Sequence, residues 1–194
     1  MAKNTRDKMI EATGHLLQRH GHYGTALADI LHASTAPRGS LYFHFPGGKD
    51  ELVAEATRDG IAAVTENLQE GLSGDVTPGR AVRRLLKAAA VALQQSDFRF
   101  GSPAAPIVLD GLEVRSEISH LVRAAYATWI GLFEAAFIAS GIAPNRAKAL
   151  ALIVEASFEG LLIICRAERN IEPMLTAARE LETLVDAALP KGRK

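Results

Sequence analysis

Apolar residues recur at helical spacing along almost the whole chain. In the first segment Met9, Ile10, Thr13, Leu16, Leu17 and His20 follow a 3.6-residue repeat. Asn4 or Thr5 is placed to cap its start and Gly21 its end. Leu27, Ile30 and Leu31 define a short second helix that begins after Thr25. Ser34, Thr35 and Pro37 then mark a turn, and a third helix is predicted through Arg38 to about His44, ended by Pro46-Gly47-Gly48. A long helix is expected from Lys49 to about Glu70. Gly71, Gly74, Pro78 and Gly79 read as a linker, followed by a helix over 81–95 and a loop over 97–108 that holds two prolines. Further helices are predicted at about 109–120, 121–140, 145–168 and 173–189. No window alternates with a period of two, so no sheet is expected. The pattern predicts an all-α chain of about nine helices, with an N-terminal domain over 1–50 and a second helical domain over 51–194.

Two short helices joined by a turn, after a longer packing helix, fit a helix-turn-helix. The detail lies in residues 37–49, PRGSLYFHFPGGK. On a helix Leu41 and Phe45 share the face turned to a core, while Arg38 and Tyr42, also four apart, lie on another, with Gly39 beside them. A glycine inside a helix costs about 1 kcal/mol against alanine, so something should offset it. Close approach of the backbone to a DNA groove is one reason, and close packing of two helices is the other. The Arg38 guanidinium suits guanine in a major groove or a phosphate. Tyr42 and His44 can donate to phosphate oxygens. Lys49 and the amides at the next helix start suit an anion, and so do the Thr25 hydroxyl and the first amides after it.

Bulk charge does not add to this picture. The 194 residues carry 22 basic and 22 acidic side chains, so the chain as a whole has no basic footprint. The first 50 residues are less even: Lys3, Arg6, Lys8, Arg19, Arg38 and Lys49 stand against Asp7, Glu11, Asp29 and Asp50. Five of the six histidines (His15, His20, His22, His32 and His44) also lie there. The single Cys165 excludes an internal disulfide and suits a reducing compartment. The N-terminal stretch has no apolar core of a signal peptide, and the apolar run 149–165 is interrupted by Glu155 and Glu159. A soluble, cytoplasmic protein with no membrane partner is expected.

The stretch TALADILHASTAPRGSLYFHFPGGKDEL, residues 25–52, resembles the DNA-binding signature of the TetR family of repressors. Its Pro-Arg-Gly-Ser and the double glycine of FPGGKDEL are similar to the LmrA/YxaF-like branch, and the GSPAAP and EGLLIICRAERNIEPML stretches resemble that branch's regulatory domain more loosely. The resemblance implies that Thr25, Pro37, Arg38, Gly39, Ser40, Tyr42, His44 and Lys49 occupy operator-contacting positions on double-stranded DNA. It also implies a small-molecule effector and a homodimer that binds a palindromic operator. Two features depart from the family pattern. Ser34-Thr35 stands where many relatives carry a glycine, and the extra glycine shifts Lys49 by one residue.

The later helices extend the reading. Segment 145–168 carries Leu150, Leu152, Ile153, Val154, Phe158, Leu161, Leu162, Ile163 and Ile164 around much of its circumference, so several sides must be covered. A two-fold interface built from this helix and 173–189 is expected, with Gly160 allowing close approach. Pocket candidates for a hydrophobic or planar effector are Phe98, Phe100, Tyr126, Trp129, Phe133, Phe137 and Phe158, although an aromatic stripe such as Trp129-Phe133-Phe137 also suits a core. Glu155 and Glu159 share a helix face, an unfavourable pair that solvent, salt bridges or a cationic ligand would relieve. An enzyme is not expected: there is no phosphate-binding loop, no metal-spaced Cys/His cluster and no nucleophile elbow, and no cofactor or metal is implied. A helical protein-binding adaptor would leave Arg38, Gly39 and Tyr42 without a joint purpose. An activator of the same fold is not distinguishable from a repressor at this level.

Overall fold

The computed structural model describes residues 4–111 and 116–190. Lys3, Glu113 and the basic tail 191–194 lie outside the described residues. Within them the chain is all-helical: α1 (Thr5–His20), α2 (Leu27–Ser34), α3 (Ser40–His44), α4 (Gly48–Leu72), α5 (Pro78–Gln95), α6 (Ala105–Leu109), α7 (Glu117–Ala139), α8 (Pro144–Glu168) and α9 (Glu172–Asp186).

Local chemistry explains where these boundaries differ from the pattern-based expectation. The start of α5 is Pro78, not Ala81, because Thr77 caps the helix by accepting from the Arg80 N–H at 3.3 Å and proline is tolerated in a first turn. The same logic creates α6 inside the expected 97–108 loop. The Ser102 hydroxyl accepts from the amides of Ala104 and Ala105, each at 3.1 Å, and Pro106 sits in the first turn. Pro78 and Pro106 thus stand at helix starts and do not break them. The expected break between His120 and Leu121 is absent, and α7 runs through it. Of the expected helix over 109–120, residues 112–115 lie outside the described residues; Asp110, Gly111 and Ser116 are not helical, α6 ends at Leu109 and α7 begins at Glu117. The third helix is shorter than expected: Pro37 and Arg38 lie in a turn and Gly39 precedes the first helical residue, Ser40.

Two compact units are present. The first comprises residues 1–63 and 102–125, and the second 64–101 and 126–194, so the divisions at 63/64 and 125/126 fall within α4 and α7. In the first unit Met9, Ile30, Leu31, Leu41, Phe45 and Leu52 form a buried core, with Ile10, Leu16, Leu27 and Ala36 packed on it. These residues come from α1 to α4, so the core locks four helices by apolar burial. Ion pairs tie its rim: Arg6 meets Glu55 at 3.1 Å, and Arg58 meets Glu117.

In the second unit α5 packs on α9 and α8 on both. Asp186 near the end of α9 accepts from the Thr77 hydroxyl at 2.7 Å and the Gly79 amide at 2.8 Å, which pins the start of α5. By length and composition α7 is apolar enough to cross a membrane. Its stripe of Trp129, Phe133 and Phe137 is fully buried in the protein interior.

Candidate nucleic-acid interface

The α2–turn–α3 segment is built from strong local signals. The turn after α2 places Thr35 in the left-handed region, φ 54°. Its amide donates to the His32 carbonyl at 3.2 Å, and the Ala36 amide donates to the Leu31 carbonyl at 3.1 Å, the paired bonds of a Schellman ending. The Ser34-Thr35 pair therefore makes the same reversal that glycine makes more readily, at a conformational cost that a β-branched residue bears. Pro37 then starts a tight turn closed by the Ser40 amide on the Pro37 carbonyl at 2.9 Å.

The short α3 presents two faces. Leu41 and Phe45 are buried in the core. Opposite them Pro37, Arg38, Gly39, Tyr42 and Phe43 are exposed, with Ser40 and His44 half-buried. Tyr42 is 67% and Phe43 81% exposed, an unusual state for two adjacent aromatics. The His44 ring stands edge-on to Phe43, centroids 4.9 Å apart. Gly39 has φ −67° and ψ −20°, angles open to any residue, and a methyl group placed on it would meet no atom within 4 Å. Neither local conformation nor helix packing among the described residues accounts for this glycine.

Two of the expected contact residues, Thr25 and Lys49, have partners within the chain. Thr25 is fully buried, and its hydroxyl donates to the Gly21 carbonyl at 2.6 Å. Lys49 is half-buried and its Nζ reaches the His22 carbonyl at 3.5 Å. At the start of α4 the Gly47 amide is taken by Glu51 Oε2 at 2.7 Å, so that helix end already holds a carboxylate. Lys49 and Thr25 thus brace the α1–α2 loop, where Asp110 also accepts from the backbone amides of His22 and Tyr23. Burial, with the Lys49 charge next, lowers the His22 pKa.

Sequence reasoning missed two residues here. Phe43 is two residues from Leu41 on a helix and so faces away from it. Asp110 carries no sequence signal for its role, since its partners lie 87 and 88 residues away.

The aromatic candidates all fall in the second unit. Tyr126 is half-buried and stands edge-on to Trp129, centroids 5.4 Å apart, while Trp129 Nε1 donates to Thr65 Oγ1 at 3.0 Å. Phe133 and Phe137 pack together at 6.1 Å. Phe98 has φ 57° and lies under the Arg169 guanidinium, 5.4 Å from its ring centre. Phe100 and Phe158 are half-buried.

A turn between two short helices, with one side of the second helix buried and Arg38, Gly39, Tyr42 and Phe43 exposed, is the arrangement of a helix-turn-helix. Comparison with known proteins carries the assignment further. Residues 9–56 match the bacterial regulatory proteins of the tetR family, and residues 78–180 match the C-terminal domain of LmrA/YxaF-like transcriptional regulators. The chain is 30% identical to the helix-turn-helix-type transcriptional regulator Rv0196 of Mycobacterium tuberculosis (strain ATCC 25618 / H37Rv), over 96% of each chain. Its fold is similar to a TetR transcriptional regulator from Chloroflexus aurantiacus J-10-FL, with a TM-score of 0.81 and 24% identity over 95% of this chain and 96% of that one. It is also similar to the TetR-family regulator CifR, solved with a 26-bp double-strand operator DNA, with a TM-score of 0.80 and 21% identity over 98% of each chain. The protein belongs to the TetR family: it is a DNA-binding transcriptional regulator and not an enzyme.

Proposed function

We propose that the protein is a repressor that grips a palindromic operator as a homodimer and is released by a small hydrophobic or aromatic effector. The first 50 residues serve as the reading head, and residues 51–194 serve sensing and dimerisation. The observation that carries this reading is the exposed surface formed by Arg38 and Gly39 in the turn and by Tyr42 and Phe43 on α3, whose other face is locked in a core. Gly39 has open space and unstrained angles, which suits a backbone that another molecule approaches closely. On this reading Arg38 reads a guanine edge, Tyr42, His44 and Ser40 donate to phosphates, and Pro37 sets the angle of the helix. Thr25 and Lys49 act from behind by holding the α1–α2 loop.

The dimer reading is supported by α8. Leu152, Ile153, Ile163 and Ile164 are exposed, and Ala156 and Gly160 lie between them with no atom within 4 Å of where a Gly160 methyl would stand. Such a stripe of large and small apolar residues suits a second helix packed against it. Two reading heads joined this way face half-sites about 34 Å, or a multiple, apart. A zero net charge leaves affinity to the local patch doubled by two-fold symmetry. The protein works where DNA and a reduced Cys165 coexist, in the cytoplasm.

Selection of duplexes from a random-sequence pool by the purified protein tests this reading, with sedimentation measuring its mass. The expected result is an enriched inverted repeat bound by a dimer. An enriched site without two-fold symmetry, or no enrichment, overturns it.

A further inference from the structure

The exposed face of α3 makes no use of the carboxylates buried on α8. Glu155 is only 6% exposed, on the same side of α8 as Leu150, Ala151, Val154 and Leu162. Among the described residues no hydrogen bond or ion pair reaches it. One turn further on, Glu159 accepts the Tyr126 hydroxyl from α7 at 3.1 Å. Tyr126 in turn meets Trp129 edge-on. Two carboxylates and two aromatic rings are thereby gathered from α7 and α8, in the second unit.

An unpaired carboxylate with so little exposure to water is costly, and a like charge one turn away on the same helix adds to the cost. Burial, and then the Glu159 charge, push Glu155 up to about 7. The charged group that acts on Glu155 is Glu159 on α8, and Tyr126 on α7 is bonded to Glu159. Glutamine or leucine would fill the same volume without that cost. A positive charge arriving from outside removes it, and aromatic rings beside carboxylates are the ordinary surroundings of a bound organic cation.

We infer that Glu155 and Glu159, with Tyr126 and Trp129 beside them, receive a lipophilic organic cation: an amine, amidinium or quaternary ammonium group on an aromatic or apolar body. This rests on the reading of the second unit as the effector-binding part, and it names the effector's class. Anions are repelled by the pair, and a neutral body of the same shape gains nothing from it. Arrival of the cation favours the ionised form of Glu155, so binding near neutral pH releases a proton from that carboxyl to solvent.

Trp129 is the chain's single tryptophan and touches Tyr126, so its fluorescence reports directly on this position. The test titrates the full-length protein with tetraphenylphosphonium and with triphenylphosphine oxide, a neutral compound of comparable bulk. Wild type is expected to show saturable quenching by the cation, at least tenfold tighter than by the oxide. Glu155→Gln should lose that preference about tenfold and bind the oxide unchanged. Calorimetry at pH 7 in phosphate and in Tris should show proton release on cation binding by wild type and none by Glu155→Gln. Equal binding of both probes, preference for the oxide, binding of neither, or an unaltered Glu155→Gln each overturn the cation site. None of these results touches DNA recognition, which fails separately if no duplex is selected.

Discussion

The carboxylate of Asp110, at the end of α6, accepts the backbone N–H of Tyr23 at 3.1 Å across 87 residues of chain. It also takes the His22 amide, and Gly21, with φ 71°, leaves room for it where any methyl group would collide with the carboxylate. The loop that joins α1 to the helix-turn-helix is therefore held from α6. Removing a charged acceptor from two amides costs about 1–3 kcal/mol. Asp110→Ala is expected to lower stability in that range and to weaken duplex binding. Gly21→Ala should be worse in wild type than in the Asp110→Ala background. Denaturant melts of the two single variants and the double variant measure that coupling. Simple additivity would show that the loop is not held this way.

His22 ties the same loop to pH. Its pKa is lowered from 6.5 by burial and by Lys49. The unfolded chain therefore takes up this proton at a higher pH than the folded one, so stability is full above about 6.5 and falls as pH drops below it. Thermal melts from pH 8 to 5 should show a loss in wild type that is smaller in His22→Gln. Identical pH profiles for the two proteins would contradict it.

Glu155 titrates with the opposite consequence. Its folded pKa is raised from 4.5 to about 7. Its unfavourable effect is absent below about 4.5, grows as pH rises between those values, and is complete above 7. Glu155→Gln is expected to stabilise the protein by about 3 kcal/mol at pH 8 and by little at pH 4.5, as measured by urea unfolding. Stabilisation that does not change with pH would point to packing and not to the charge.

Thr35 occupies a left-handed position that costs a β-branched residue about 1–2 kcal/mol, while glycine returns part of this through the entropy of the unfolded chain. Thr35→Gly should therefore raise stability by about 0.5–1 kcal/mol, visible as a higher melting temperature. A lower one would mean that the Thr35 hydroxyl bond to the Ser34 carbonyl, 2.7 Å, outweighs the strain.

The helical periods, the caps at Asn4 and Gly21 and the core positions Leu41 and Phe45 were legible in the sequence, because each is a local pattern. The α6 helix was not, since Ser102 and Pro106 look like a loop until the hydroxyl is seen on two amides. The Lys49 contact with the His22 carbonyl and the clamp by Asp110 depend on contacts between distant segments, for which spacing carries no signal. The sequence marks Gly39 through the cost of a glycine in a helix, but in the structure it stands before the helix, unstrained, with open space around it.

The central claim is that the Arg38–Phe43 face reads DNA, and binding to the selected duplex across a range of salt tests it most directly. Arg38→Ala is expected to lose about 1–3 kcal/mol and to relax preference at one base pair per half-site, while Tyr42→Phe weakens all duplexes evenly. Both residues are exposed, so the fold should be unchanged in melts. If Arg38→Ala binds the duplex as tightly and selectively as wild type at every salt concentration, the account of this face is wrong.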